Sequence, residues 1–258
     1  MLPPNGGRLC EIGAGFGRLA DFYRGYARVI LLDYSLSMLR DARTRLQNDP
    51  RILYVAADLY NLPLANSALD TAVTVRVLHH VTNIPSAFAE IARVVRPQGV
   101  YVTEFANKRH IKAVLRYVFA RREPNPFTLE PYEFVKLNSD FHPLYIQANL
   151  EKSGFVIDSR RAVSTFRLGF LKRIIPASIL ASLDGVIQHP TSSLQLSPSI
   201  FLRTHSTKPG EPALNAALWR CPACGSTEIA ESAHELACRG CALVYPIVDG
   251  IIDFKSHM

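Results

Sequence analysis

The stretch LCEIGAGFG at residues 9–17, followed by Asp33, constrains this chain more than any other feature. A short apolar run carries the acidic Glu11 and gives way to Gly13, Gly15 and Gly17. Then come Leu19, Phe22, Tyr23 and Tyr26 at helical spacing, a second apolar run at 29–32, and Asp33. The pattern predicts a strand, a glycine turn, a helix over 18–26 and a second strand with an acidic tip, the start of a parallel α/β sheet. Such a unit holds a nucleoside-like ligand at the carboxyl ends of neighbouring strands. The glycines admit the ligand close to the backbone, and a carboxylate at the second strand tip can accept both hydroxyls of a ribose. Arg18 stands where a dinucleotide fingerprint needs its third glycine, which disfavours a nucleotide-dependent oxidoreductase.

The alternation continues. Ser35 is placed to cap a helix bearing Leu36, Leu39 and Leu46. A third strand is predicted at 52–56, then a loop to Asp70. Asp58 lies just past that strand, where its carboxylate can accept from an exocyclic amine, with the Leu59 N–H beside it for a ring nitrogen. A fourth strand at 70–77 runs into RVLHHVTN, a helix follows with Ile84, Phe88, Ile91 and Val95, and a fifth strand covers 100–105. Residues 131–137 are predicted as a short helix. Phe141-His142-Pro143 opens another helix, closed by Gly154, ahead of a sixth strand at 155–160. A seventh strand at 199–204 is expected to run antiparallel to the sixth.

The alternating glycines preceded by Glu11 resemble motif I of the class I S-adenosylmethionine-dependent methyltransferases. Three further motifs resemble the small-molecule branch of that class, which includes ubiquinone- and menaquinone-biosynthesis enzymes. These are Asp58 through Leu62-Pro63 to Asp70, then Leu78-His79-His80, then Arg96-Pro97-Gln98-Gly99. The resemblance runs through residues 8–105. It implies an α/β fold with a Rossmann-like seven-stranded methyltransferase sheet, and S-adenosylmethionine as cofactor. It implies cofactor contacts from Glu11, Gly13, Gly15 and Gly17, from Asp33 and Tyr34 at the ribose, and from Asp58 and Leu59 at the adenine. The cofactor carboxylate is expected over the glycine turn and the N-terminus of the first helix. The acceptor is expected to be small or lipid-like and methylated by in-line displacement. A base is needed only if the acceptor must lose a proton. His79, His80, Glu104, His142 and Tyr145 are candidates, each with a structural role as the simpler reading, so no catalytic residue is assigned. The class carries helices ahead of the first strand to cover the cofactor, so here either the start is truncated or the cover is expected from the variable half or the tail.

The chain is basic, with a net charge of +7 and a pI near 9.3, which favours acidic partners. Residues 108–122 interleave Lys108, Arg109, Lys112, Arg116, Arg121 and Arg122 with Ile111, Val114, Leu115, Val118 and Phe119. This basic amphipathic helix suits a solvated surface, a peripheral membrane contact or RNA. Residues 167–188 are mostly apolar but broken by Pro176, which suits a lid pair or a membrane-dipping surface rather than a span. With no secretory signal, the chain reads as cytoplasmic.

Four of the five cysteines form two CxxC pairs, Cys221/Cys224 and Cys238/Cys241, separated by thirteen residues. Such spacing predicts a tetrahedral thiolate site, zinc by preference over a rubredoxin-like iron. A segment of this size has too little core to fold unaided, so the metal would stabilise it. The tail ends in a hairpin turning at Asp249-Gly250. Knuckles followed by YPIVDGI resemble the small zinc-ribbon activator subunit of tRNA, rRNA and protein methyltransferases. The domains expected are a methyltransferase domain at 1–205 with its variable region at 107–190, a linker at 206–217 and a ribbon at 218–258. The alternatives are an RNA or protein methyltransferase with a built-in activator and a non-enzymatic scaffold. No obligate separate protein partner is implied.

Overall fold

A computed structural model of the protein describes residues 1–46, 49–120, 124–163 and 195–256. Strands β1 (Gly6–Ile12), β2 (Tyr26–Asp33), β3 (Ile52–Ala56), β4 (Leu69–Thr74) and β5 (Val95–Ala106) pair in parallel. Strands β6 (Tyr132–Val135) and β7 (Asn138–Asp140) make a separate hairpin. Strands β8 (Phe155–Val163) and β9 (Ser199–Ser206) then close the far edge antiparallel, giving the order β3-β2-β1-β4-β5-β9-β8. This is the seven-stranded core that the sequence pattern predicts.

The parallel strands are apolar on both faces because both are covered. Successive side chains alternate between two cores. Leu9, Val29, Leu31 and Val73 face α1 (Leu36–Leu46) and the segment at 18–26. Cys10, Ile12, Ile30, Leu32 and Ala72 face α2 (Ile84–Val94), which contributes Phe88 and Ile91. Ser35 Oγ accepts from Met38 N, and Asn83 caps α2 by accepting from Ser86 N. After α3 (Ile111–Ala120) and the hairpin, α4 (Pro143–Lys152) starts at His142 and precedes Gly154, whose φ is +82°.

Two predicted helices are not formed. The segment at 18–26 makes a single 3-10 turn, Ala20–Phe22. Tyr23 and Tyr26 are buried, but Phe22 is 75% exposed. Arg24-Gly25 ends the turn, and Gly25 passes so close to Pro4 that a Cβ there would lie 1.8 Å from its carbonyl oxygen. The chain must re-enter the sheet before a second helical turn can form. Residues 131–137 form part of the β6–β7 hairpin instead. Tyr132, Phe134 and Val135 favour a strand, and Leu137 takes φ 59° in the tight turn.

The cysteine-rich tail extends the same sheet. Strands β10 (Ile229–Glu231), β11 (Glu235–Cys238) and β12 (Val244–Val248) are antiparallel, and β13 (Ile251–Asp253) turns back at Asp249-Gly250. Both turn residues have positive φ, 53° and 68°, the conformation a two-residue hairpin turn needs. Strand β13 then pairs in parallel with β3, Ile251 opposite Tyr54 and Asp253 opposite Ala56. Trp219, Tyr245 and Phe254 pack into the core that α2 covers. Asp70 ties the other end of the sheet, accepting from Arg8 N and the Arg96 guanidinium.

No helix among the described residues is long and apolar enough to cross a membrane. The segment at 167–188 and Arg121 and Arg122 lie outside the described residues.

Candidate functional site

A cavity of about 460 Å³ opens at the carboxyl ends of β1, β2 and β4. Its wall includes Glu11, Gly13, Gly15, Asp33, Tyr34 and Leu59 of the predicted residues. The glycine turn is held from below, with Gly13 N and Ala14 N donating to Leu32 O. Asp33 locks it from the side, Oδ2 accepting from Gly15 N at 2.8 Å and Oδ1 from Ser35 N at 2.8 Å. The Asp33 carboxylate therefore shapes the turn as well as facing the cavity, and its remaining lone pairs are available to ligand hydroxyls.

Glu11 is 3% exposed, and among the described residues its buried Oε2 has no hydrogen-bond partner. Burial pushes its carboxyl up to about 7. The neighbouring Tyr23 hydroxyl and Arg18 guanidinium favour the charged form but do not offset the lost hydration. A buried, under-partnered acid on a cavity wall is suited to a cationic donor.

Gly17 and Asp58 are not on this wall. Gly17 (φ +72°) allows α1 to approach, because a Cβ would lie 2.7 Å from Leu46 Cδ1. Asp58 caps a short turn by accepting from Tyr60 N at 2.9 Å. Because only a 3-10 turn follows Gly17, the helix N-terminus expected there to meet the cofactor carboxylate is not formed. Arg18 lines the cavity in its place. In the sequence Arg18 stands out only as a missing glycine and Met38 carries no motif of its own, whereas Val75 and Arg76 lie where the fourth strand runs into RVLHH.

The tail reaches the rim. Tyr34 is 66% exposed, and Lys255 Nζ, just beyond β13, stands 4.2 Å above its ring.

A second cavity, about 360 Å³, shares Arg76 with the first and is walled by His79, Glu104, His110, Phe134 and Asp140 among others. Glu104 is buried, with Oε2 accepting from Arg76 N at 2.9 Å and Oε1 from Ser199 Oγ. That bond pins Arg76 at φ 64°, an unusual conformation for arginine. Burial, then the neighbouring His80, lowers the His79 pKa, which keeps the ring neutral and able to take a proton. The other candidate bases are committed elsewhere. His80 lines the first cavity and donates from Nδ1 to Leu137 O at 2.9 Å, His142 Nδ1 accepts from Leu144 N at the start of α4, and Tyr145 stacks on Phe141.

Cys221, Cys224, Cys238 and Cys241 converge, all four sulfurs lying within 4.8 Å of one another. Cys221 to Cys241 is 3.6 Å and Cys224 to Cys238 is 3.5 Å. A tetrahedron with zinc–sulfur arms of about 2.3 Å has edges of about 3.8 Å, so the donor set fits that ion. The Tyr245 hydroxyl lies 3.0 Å from Cys221 Sγ, an outer hydrogen bond of the kind that orients a ligand.

Residues 10–103 match the family model described as a methyltransferase domain. A demethylmenaquinone methyltransferase from Roseiflexus sp. (strain RS-1) is 32% identical over 112 residues, which is 42% of this chain and 47% of that protein. The chain spans between 26% and 54% of the length of the first curated relatives it matches. Among solved structures, an S-adenosylmethionine dependent methyltransferase from Mesorhizobium loti aligns with a TM-score of 0.58 at 21% identity, over 80% of this chain and 94% of that one. A chain of the complex between the Haloferax volcanii Trm112 methyltransferase activator and a putative methyltransferase aligns with a TM-score of 0.55 at 15% identity, over 81% of this chain and 86% of that one. The fold is that of the S-adenosylmethionine-dependent methyltransferases.

Proposed function

We infer that this chain is an S-adenosylmethionine-dependent methyltransferase acting on a small or lipid-like acceptor, with a zinc-bound tail bracing its cofactor site. The observation that carries the reading is the first cavity, with buried Glu11 on its wall and Asp33 at the tip of β2. The cofactor has a cationic ammonium, an anionic carboxylate, two ribose hydroxyls and a base with flat aromatic faces. Glu11 suits the ammonium, Arg18 the carboxylate and Asp33 the hydroxyls, while Ala57, Leu59 and Met38 supply apolar wall for the base. When bound, the cofactor supplies a methyl group on an already activated sulfur, so alignment can provide much of the catalysis. The second cavity, joined through Arg76, is the proposed acceptor site. There Glu104 fixes Arg76, and neutral His79 can take a proton from an acceptor that must lose one. The relatives' quinone-methylating name supports the small or lipid-like acceptor.

The four thiolates are proposed to hold zinc, which would fix the knuckles and, through β13, the edge of β3. A second reading, an RNA or protein methyltransferase with a built-in activator, draws support from the β13–β3 pairing and from the fold neighbour solved with an activator. Calorimetry with S-adenosylhomocysteine tests the common premise. Saturable binding at one site, weakened by Asp33→Ala, is expected, and a wild-type chain that binds none sinks the enzyme reading. Labelled methyl transfer to quinol extracts or to RNA then separates the acceptors.

A further inference from the structure

Helix α3 is amphipathic, yet it turns its apolar side outward. Its inner face is Ala113, which is buried, and Tyr117, whose ring meets Phe127 at 6.0 Å. Ile111, Leu115, Val118 and Phe119 recur at i, i+4, i+7 and i+8 and so share one stripe. All four are exposed, from 43% at Ile111 to 81% at Phe119. Lys112 and Arg116 follow along one edge of the stripe. The helix contains no acidic residue, and neither cation forms an ion pair among the described residues.

The apolar surface continues beyond the helix. Phe127 and Leu129 are exposed on the following loop, which the Lys108 ammonium ties to the base of α3 by donating to Thr128 Oγ1 and Glu130 O. Phe134, Val135 and Leu137 are exposed on the β6–β7 hairpin, with Lys136 among them. That hairpin is fastened to the cofactor side through the His80–Leu137 hydrogen bond. His110, just before α3, and Phe134 both line the second cavity. The apolar surface therefore rims the mouth of that cavity.

We propose that the outer face of α3, the loop at 127–129 and the β6–β7 hairpin form a docking surface for an anionic lipid membrane. An exposed apolar stripe edged by cations is what a helix lying in the headgroup region requires: the apolar side chains enter the acyl boundary and the cations meet anionic headgroups. RNA fits less well. Phosphates would satisfy the two cations and bases could stack on Phe119, Phe127 or Phe134, but Ile111, Leu115 and Val118 would stay in water. A second copy of this basic chain would set like charges against Lys112 and Arg116. Docking in this way sets the second cavity at the lipid interface, so an amphiphilic acceptor can enter without crossing water. This last step rests on the methyltransferase reading, whereas the docking itself does not.

Flotation of the full chain tests the surface, using vesicles of phosphatidylcholine alone and vesicles with roughly 30% phosphatidylglycerol. The wild type is expected to float with the anionic vesicles and to detach as salt is raised. Lys112→Gln with Arg116→Gln should weaken anionic binding about 25-fold, at about fivefold per cation. Leu115→Glu with Phe119→Glu should abolish flotation. Calorimetry with S-adenosylhomocysteine on the same variants checks that they are folded and should match the wild type. A wild type that stays in solution overturns the proposal, as do variants that float like the wild type. So does binding to transfer RNA that needs Lys112 and Arg116 while vesicles are ignored. A wild type that floats but binds no S-adenosylhomocysteine leaves the surface standing and overturns the cofactor reading alone.

Discussion

Replacing Gly13 by alanine isolates what the glycine turn requires. Gly13 has φ +76°, and a Cβ there would lie 2.3 Å from Val77 Cγ2 and 3.3 Å from Val77 Cγ1. The left-handed backbone costs about 1–2 kcal/mol for a side-chain-bearing residue. The overlap with a half-buried β-branched side chain adds about 1–3 kcal/mol, because Val77 has few rotamers to escape into. Gly13→Ala should therefore lose about 2–5 kcal/mol of a total stability of about 5–15 kcal/mol. Gly15 is the internal control. It also has positive φ, 55°, but its Cβ would meet only the flexible Met38 Cε at 3.5 Å, an ordinary contact. Gly15→Ala should lose only the backbone share, about 1–2 kcal/mol. Urea unfolding at constant m-value measures both. Val77→Ala in the Gly13→Ala background should restore about 1 kcal/mol or more relative to additivity, a coupling that Val77→Ala should not show with Gly15→Ala. Equal losses at the two glycines, or no coupling to Val77, would refute the packing argument.

Three further outcomes follow from the site. Asp33→Ala strands the N–H groups of Gly15 and Ser35, so it should lower stability by about 1–3 kcal/mol and weaken S-adenosylhomocysteine about tenfold or more, read by unfolding and calorimetry on one preparation. Glu11 has its folded pKa raised from 4.5 to about 7, so between these values the native state holds a proton that the unfolded state has released, and stability falls as pH rises. The cost approaches about 3 kcal/mol above pH 7 and vanishes below pH 4.5. Glu11→Gln should flatten that slope, and an ammonium ligand should bind the wild type more tightly as pH rises through 7; a pH-independent affinity would count against Glu11 as its partner. Metal analysis should find about one zinc per chain. Because β13 is paired to β3, a chelator or Cys238→Ser should lower the unfolding temperature of the whole chain in one transition, and an unchanged melting curve would show that the metal braces nothing.

Several features were legible in the sequence for identifiable reasons. Unbroken apolar runs at 29–32 and 52–56 mark strands covered on both faces, and a parallel sheet sets their tips side by side, so Glu11, Asp33 and Leu59 converge. Two CxxC pairs bring four sulfurs together because each pair closes its own tight turn. Other features misled. Leu19, Phe22, Tyr23 and Tyr26 have helical spacing, but the tight approach of Gly25 to Pro4 cuts the helix short, and the helix N-terminus expected after the glycine turn goes with it. Tyr132 to Leu137 carried no decisive period, and pairing with β7 settled it as a strand. Asp58 also caps a turn through one oxygen, a local role that the motif's spacing does not show.

The sequence by itself determined the strand, glycine turn and second strand that open the chain, the acidic tip of β2 and the four-cysteine set, because each is written in local periodicity or short spacing. Only the tertiary structure decided that the tail joins the sheet at β3 and lays Lys255 over Tyr34, that Glu104 pins Arg76 between two cavities, and that α3 shows its apolar stripe to solvent. Each of these depends on which distant segment occupies a given edge or face. An unpaired strand edge accepts any strand that reaches it, and a helical stripe reads the same whether it faces a core or a membrane, so the choice is made by packing across the whole chain.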